Sequence, residues 1–192
     1  MATTIKRIGF GQVEPNHLSA QGNRKIYAQL PLKSDMNILE NGQFMKYDYE
    51  NNEVNLTGDG EYMLVFNEVK VYDERETYKD FAMIKKNYVG GEIYPRLFKT
   101  NVGDIYTTNC VGAANTSKDA EYAGISLAVG DKLKVDTATG YLVKDNAVST
   151  GMIWKVVKEY TMPDGQPGVK LQRINYFKEE KNYGIKRFNK IS

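Results

Sequence analysis

Residues 152–177 read MIWKVVKEYTMPDGQPGVKLQRINYF, two β-prone runs on either side of a turn. Valine, isoleucine, tryptophan and tyrosine are enriched in strands, and they recur in both runs. The intervening PDGQPG at 163–168 combines prolines and glycines, which favour a turn. This stretch therefore predicts a large antiparallel hairpin, in which Met152–Tyr160 pairs with Val169–Phe177.

Shorter runs of the same kind precede this hairpin. Residues 44–49 and 54–57 flank an asparagine-rich turn and predict another hairpin. Further strand candidates are 61–72, 81–84 and 93–99, and the proline in the last favours an edge strand or a bulge. The sequence thus predicts an all-β fold, a single barrel or sandwich of short antiparallel strands. The choice between barrel and sandwich stays open, because strand order is not encoded locally.

The triplet Val-Gly-Asp occurs twice, at 102–104 and 129–131, and each copy stands directly before a strand candidate. Glycine permits a positive φ, and an aspartate side chain can accept hydrogen bonds from the local backbone. Each copy therefore predicts a turn that starts a strand. The second copy leads into a hairpin built from residues 132–136 and 141–143. Two copies are too few to indicate a repeat protein.

The first 36 residues differ from the rest of the chain, because glycine, proline and asparagine interrupt them and no period persists. They nevertheless contain more apolar residues than a disordered tail would. We expect an extended N-terminal arm over 1–36, which lies either on a partner or on its own domain. Residues 37–177 then form the β body, and 178–192 form a charged C-terminal tail. The residues in the arm that could anchor it include Ile8, Phe10, Val13, Leu18 and Tyr27.

Residues that could perform catalysis or bind a metal are scarce. His17 is the single histidine and Cys110 the single cysteine among 192 residues. Zinc sites and catalytic triads need several such side chains, so the sequence predicts no metal, no cofactor and no catalytic residue. Cys110 is expected to be a small buried apolar residue. His17 is expected to form a hydrogen bond within the docking surface of the arm.

Paired carboxylates provide one alternative, because two of them can hydrolyse a glycosidic bond. The relevant residues are Glu68, Asp73 and Asp80. Lysine and arginine residues alternate with them, which is typical of a solvated charge network. A hydrolase that uses these carboxylates is therefore the third hypothesis for function.

The charge distribution gives no sign of a nucleic acid or a membrane as partner. Lysine and arginine total 26 against 24 aspartates and glutamates, a formal net charge of +2. The two signs alternate along the chain, without the basic stripe typical of a nucleic-acid-binding protein. Apolar runs are too short to cross a bilayer, and no secretory signal is visible. We expect a protein that folds in a cytoplasm.

Five stretches are distinctive in their order along the chain: GFGQVEPNHLSA at 9–20, LENGQF at 39–44, LVFNEVKVYD at 64–73, KDFAM at 79–83 and RLFKTNVGD at 96–104. Together they resemble small structural proteins of tailed bacteriophages, of the head-decoration or auxiliary capsid type. The resemblance extends over most of residues 9–175.

This resemblance implies a non-enzymatic virion protein that binds the outer capsid surface and reinforces contacts between major capsid protein subunits. The protein would be made in the cytoplasm of the bacterial host, and it could form a homo-oligomer. The arm would dock on the capsid, so deleting residues 1–20 should leave the body folded and remove capsid binding. The alternative is a receptor- or glycan-binding module of a phage tail or fibre. The residues expected to dock on the capsid are Ile8, Phe10, Val13, His17, Leu18 and Tyr27.

Overall fold

The computed structural model describes residues 2–17, 28–67, 82–87, 89–112 and 124–174. Within these ranges the regular elements are strands and two 3₁₀ turns, Lys85–Asn87 and Val89–Gly91, with no α-helix. The predicted all-β class is confirmed. The strands are β1 (Ala2–Ile5), β2 (Val13–His17), β3 (Ile38–Glu40), β4 (Phe44–Asp48), β5 (Glu53–Asn55), β6 (Met63–Val65), β7 (Ala82–Ile84), β8 (Leu97–Phe98), β9 (Ile105–Thr108), β10 (Ile125–Ala128), β11 (Lys132–Val135), β12 (Leu142–Lys144), β13 (Ile153–Thr161) and β14 (Pro167–Ile174).

The strands pair antiparallel in four sheets. The largest has the order β12-β11-β13-β14-β9-β2, and a second has the order β5-β4-β6-β8. The strand pairs β1-β10 and β3-β7 form the other two sheets. None of these sheets closes on itself within the described residues, so the structure shows several short open sheets and no closed barrel.

The predicted hairpin at the end of the body is confirmed as β13 and β14, with Thr161 opposite Pro167. Gly165 adopts a φ of 86° in the turn, which an L side chain rarely tolerates. A bulge lies between Val156 and Lys158. Side chains alternate between the two faces of a strand, which gives the hairpin a buried inner face and an outer face. The inner face carries Trp154, Val156, Val169 and Leu171, all fully buried, and the outer face carries Lys155, Lys158, Lys170 and Gln172.

The two Val-Gly-Asp turns have the same internal structure. Gly103 and Gly130 have φ values of 95° and 98°. In the first turn, an Asp104 side-chain oxygen accepts a hydrogen bond from Asn101 N at 2.8 Å. In the second, Asp131 accepts one from Ala128 N, also at 2.8 Å. The prediction that glycine and aspartate start the following strand is confirmed in both copies.

The two turns also bind the long hairpin in the same way, one on each side of it. Gly103 N donates to Arg173 O and Arg173 N donates to Asp104 O, at 2.8 and 2.9 Å. Gly130 and Asp131 make the same pair of hydrogen bonds with Val156, at the same distances. Val156 and Arg173 therefore occupy equivalent positions in the hairpin, and so do the residues that precede them, Lys155 and Gln172. Lys155 and Gln172 also lie directly opposite each other in the hairpin. A local two-fold relationship therefore connects β11 and β13 with β9 and β14.

The four-stranded sheet is buried on both of its faces. Phe44, Leu64 and Phe98 extend from one face into a hydrophobic cluster shared with the six-stranded sheet. Trp154 lies at the centre of this cluster, with its ring centroid 5.9 Å from that of Phe44. The opposite face packs into a second cluster, which contains Leu32, Leu39, Met45, Tyr47, Val54, Val65, Met83, Ile93 and Leu97.

The described part of the N-terminal segment belongs to the body, so the predicted extended arm is not shown. β1 pairs with β10, and β2 pairs with β9 at the edge of the six-stranded sheet. Ile5 and Phe10 are fully buried. Among the described residues of this segment, Ile5 and Phe10 therefore fill the core of their own chain. Leu32, which also falls within the predicted arm, is buried in the second cluster.

Two predicted strands are shorter in the structure. Within the described part of 61–72, only Met63–Val65 is a strand, and of 93–99 only Leu97–Phe98 is one. At these positions, hydrogen bonds between asparagine side chains and the backbone take the place of backbone pairing between strands. Asn41 accepts a hydrogen bond from Asn67 N and donates one to Asn67 O, while Asn67 accepts one from Arg96 N. Such side-chain hydrogen bonds compete with regular strand pairing.

Candidate functional site

The outer face of the six-stranded sheet brings lysines of three strands together. Lys132 on β11 lies directly opposite Lys155 on β13. Beyond the bulge, Lys158 on β13 lies directly opposite Lys170 on β14. Residues opposite each other in an antiparallel pair have Cβ atoms about 5 Å apart. Two like-charged pairs thus lie side by side on one face.

A fifth lysine extends this group along β11. Lys134 follows Lys132 at the next outward position, about 7 Å along the strand. Lys134, Lys155 and Lys158 are exposed, and Lys132 and Lys170 are half-buried. We name this surface the lysine face, and it consists of Lys132, Lys134, Lys155, Lys158 and Lys170.

Carboxylates lie at the borders of the lysine face. The Lys134 ammonium is 2.7 Å from an Asp145 oxygen. At the other end Glu14, on β2, accepts a hydrogen bond from the Tyr160 hydroxyl at 3.2 Å, which raises the pKa of that phenol. The Lys170 ammonium lies 5.8 Å from the centroid of the Tyr160 ring, a weak cation–π contact. Between these borders, Lys155 and Lys158 are exposed to solvent.

The local two-fold relationship provides an internal comparison for this surface. The positions on β9 equivalent to Lys132 and Lys134 are Ile105 and Thr107, and the partner of Lys155 is Gln172. The backbone arrangement is the same on both sides, but Lys132, Lys134 and Lys155 correspond to the neutral residues Ile105, Thr107 and Gln172. In the opposite direction, Lys170 on β14 corresponds to Ile153 on β13. The shared framework does not require the lysines.

Like charges directly opposite each other destabilise a sheet, by up to about 1 kcal/mol per pair. Two such pairs in adjacent positions are unfavourable for the isolated chain. A negatively charged partner would remove this repulsion, so the arrangement is suited to binding an anionic surface. Lys155 and Lys158 are exposed, so such a partner can reach them without rearrangement of the backbone.

The structure also contains a second group of charged residues, which is completely enclosed. Arg7, from the N-terminal segment, forms an ion pair with Glu40 at the end of β3, and both side chains are fully buried. Glu40 also accepts hydrogen bonds from the Tyr141 hydroxyl and from Gly11 N, each at 2.6 Å. We name Arg7, Glu40, Tyr141 and Gly11 the buried ion-pair cluster. It attaches the N-terminal segment to β3 and to the start of β12.

Cys110 packs beside this cluster and is buried, as predicted. A Cβ atom added to Gly11 or Gly42 would lie 2.3 or 2.6 Å from the Cβ of Cys110, so both positions require glycine. Burial raises the pKa of the Cys110 thiol. A thiol that stays protonated and lies in the interior is a poor nucleophile, so Cys110 has a packing role in this conformation.

The structure places the expected docking residues in different environments. Phe10 is buried in the chain's own core and cannot contact a partner. Val13 is half-buried against the hydrophobic cluster around Trp154. Ile8 N donates a hydrogen bond to the Gln166 side-chain oxygen at 2.7 Å. The backbone of His17 pairs with Ile105. Leu18 and Tyr27 lie outside the described residues.

Other proposed chemistry falls largely outside the described ranges. The carboxylates Glu68, Asp73 and Asp80 are not among the described residues. In the part of the chain that is described, no three His, Cys, Asp or Glu side chains are grouped to hold a metal ion. No helix within the same ranges has the length and apolar character required to cross a membrane.

Sequence reasoning missed the lysine face. The five lysines are distributed over residues 132–170, so no basic stripe exists along the chain, and the strand register brings them together. One signal was present, because Lys132 and Lys134 alternate with apolar residues in KLKV. Such alternation assigns lysines to one face of a strand, but it does not show which other strand lies beside them.

Comparisons with known proteins add no relative. No family model, no curated protein and no solved structure matches this chain.

Proposed function

We propose that this chain is a non-enzymatic structural protein of a bacteriophage particle, which binds the capsid surface and reinforces contacts between major capsid protein subunits. The resemblance of residues 9–175 to head-decoration and auxiliary capsid proteins supports this assignment. Among the structural observations, the lysine face carries it, because that surface is arranged for contact with a partner. The protein would be made in the cytoplasm of the host and would act on the capsid exterior.

The proposed role of the N-terminal segment changes with its position in the fold. Ile5, Arg7 and Phe10 are fully buried within the chain, so this part of the segment stabilises the body. Phe10 is excluded as a docking residue by its burial, and Ile8, Val13, His17, Leu18 and Tyr27 stay the proposed contacts with the capsid. The body itself is sandwich-like in this proposal, because side chains of the four- and six-stranded sheets share one core.

Co-sedimentation with capsid shells that lack this protein tests the proposed function. We expect saturable binding, with a fixed number of copies per capsomer, and shells that resist heat or denaturant better once they are occupied. A fluorescently labelled protein would give the stoichiometry directly. Shells that remain unoccupied at every protein concentration would overturn the assignment to the capsid.

A receptor- or glycan-binding module is the second candidate, and exposed aromatic rings are the observation in its favour. Tyr49 and Tyr94 are each slightly more than half exposed, and the Tyr49 ring centroid lies 5.6 Å from that of Tyr47. Aromatic rings of this kind can stack on sugars. Binding to host envelope glycans, lost on Tyr49→Ala and accompanied by no binding to shells, would favour this candidate.

A hydrolase is the third candidate and depends on Glu68, Asp73 and Asp80. No described residue contributes an argument for it. A panel of glycoside and peptide substrates tests this candidate, with Glu68→Gln as the variant that should remove any turnover.

A further inference from the structure

We propose that the lysine face is the surface through which this protein docks, and that its occupant is an acidic patch of aspartates and glutamates on a capsid protein. This inference rests on the proposed function and specifies the chemistry of the contact. It starts from the register of the sheet, which sets Lys132 opposite Lys155 and Lys158 opposite Lys170.

The distribution of charge over the chain favours a local anionic partner. The formal net charge of the whole protein is +2, and the lysine face alone carries five positive charges. The remainder of the chain is therefore net negative. The face is a local excess of positive charge with Asp145 and Glu14 at its borders, and an acidic patch of limited extent matches it.

The size of the face favours the same conclusion. Strands in a sheet lie about 4.8 Å apart, so the lysines of β11, β13 and β14 cover about 10 Å across the strands. A protein whose DNA affinity falls steeply with salt makes roughly six to ten phosphate contacts. The lysine face offers fewer cations, and Lys134 already contacts Asp145. Its dimensions fit a small group of carboxylates on a protein surface.

The chemistry of the side chains also fits carboxylates that are displayed on a rigid surface. Lysine presents a compact ammonium on a flexible stem, which can adjust to the position of each carboxylate. Complementary charges at the rim of an interface raise the association rate and make binding depend on salt. Docking through the lysine face should therefore be fast and should weaken as ionic strength rises.

The test compares two variants that lose the same number of positive charges. The first is Lys155→Gln/Lys158→Gln/Lys170→Gln on the lysine face. The control is Lys33→Gln/Lys85→Gln/Lys86→Gln, whose lysines lie in the part of the chain around β3 and β7. Binding of each to capsid shells is measured at several ionic strengths, and the unfolding transition of each is recorded to confirm that it is folded.

We expect the lysine-face variant to bind shells about tenfold more weakly than the wild type, from three exposed ion pairs, and to show a smaller salt dependence. The control should bind as the wild type does. Equal binding by the wild type and the lysine-face variant would overturn the inference and leave the proposed function intact. Wild-type protein that does not bind shells would instead overturn the proposed function.

A second measurement decides the nature of the occupant without using the capsid. The wild type and the lysine-face variant are titrated with poly-L-glutamate and with a short DNA duplex. Binding of poly-L-glutamate that is lost in the variant supports a carboxylate partner. Tighter binding of the duplex through the same lysines would show that a nucleic acid is the occupant and would overturn the inference, as would failure to bind either polymer.

Discussion

The lysine face and the buried ion-pair cluster hold charged groups under opposite conditions. In the cluster, Glu40 forms an ion pair with Arg7 and accepts hydrogen bonds from the Tyr141 hydroxyl and Gly11 N. The side chains of Arg7 and Glu40 are both fully buried. On the lysine face, Lys155 and Lys158 are exposed, and each lies opposite another lysine. The interior charges of Arg7 and Glu40 are thus matched to each other, while Lys155 and Lys158 bring charges of one sign together on one surface.

This difference separates two roles for charge. Removing one partner of a buried ion pair leaves the other charged and desolvated, so the cluster is needed for stability. Removing Lys155 or Lys158 from the lysine face relieves repulsion and should not harm the fold. Stability and binding should therefore respond to different residues, and four predictions test that separation.

The largest effect is expected from removing the N-terminal segment. Deletion of residues 1–17 removes β1, β2, Arg7 and the buried side chains of Ile5 and Phe10. The body should then lose its cooperative thermal unfolding transition, measured by circular dichroism. This expectation replaces the one drawn from sequence, that the body folds without residues 1–20. A truncated protein with a sharp transition near that of the wild type would argue against it.

The next effect is expected from Glu40→Gln. Glutamine keeps one acceptor oxygen where Glu40 has two, so it can accept from Tyr141 or from Gly11 but not from both. It also leaves the charge of Arg7 without its counterion in the interior. We expect a loss of about 3–5 kcal/mol in the free energy of unfolding, measured by denaturant titration. The control is Glu92→Gln at an exposed position, which should change stability by less than about 0.5 kcal/mol. Equal small effects would contradict the assigned role of the cluster.

A smaller effect of opposite sign is expected on the lysine face. Lys155→Gln removes the like-charged pair with Lys132, so the free energy of unfolding should rise by a few tenths of a kcal/mol, up to about 1. The gain should shrink as salt is added, because salt screens the repulsion. Matched denaturant titrations at low and high salt measure both effects. A loss of stability at low salt would show that these lysines support the fold.

Asp131 should give the smallest effect, and its carboxylate forms an ion pair with Lys144 at the surface. Partial burial opposes ionisation of Asp131, but hydrogen bonds from Lys144, Ala128 N and Asn146 outweigh it and lower the pKa to about 2. The folded state therefore holds the carboxylate in its charged form. This contribution to stability is complete above about pH 4 and is lost as the pH falls towards 2.

Asp131→Asn should remove this part of the acid sensitivity, which denaturant titrations between pH 5 and pH 2 would measure. Lys134→Gln provides a comparison, because it breaks the ion pair between Lys134 and Asp145. That pair is more exposed than the pair between Lys144 and Asp131. An acid response of Asp131→Asn identical to that of the wild type would count against the contribution assigned to Asp131.

Local features of the fold were predictable because local chemistry determines them. The hairpin of β13 and β14 follows from strand-forming runs around prolines and glycines, and Gly103 and Gly130 adopt the positive φ that their turns require. The burial of Cys110 also followed from its lack of partners in sequence. In each case, a few adjacent residues contain the information.

Features that depend on pairing between distant segments were not predictable. The N-terminal segment has no period, so its sequence did not show that β1 would pair with β10 or that Arg7 would meet Glu40. The lysine face depends on the register between β11, β13 and β14, which no single strand specifies. Strand lengths near Asn67 depend on its hydrogen bonds with Asn41, another contact between distant residues.

The central claim is that the lysine face serves binding and not stability, and one variant tests both parts. Lys155→Gln/Lys158→Gln/Lys170→Gln should unfold at the same or a higher denaturant concentration than the wild type and bind capsid shells about tenfold more weakly. A variant that is less stable than the wild type and yet binds shells with unchanged affinity would contradict the claim.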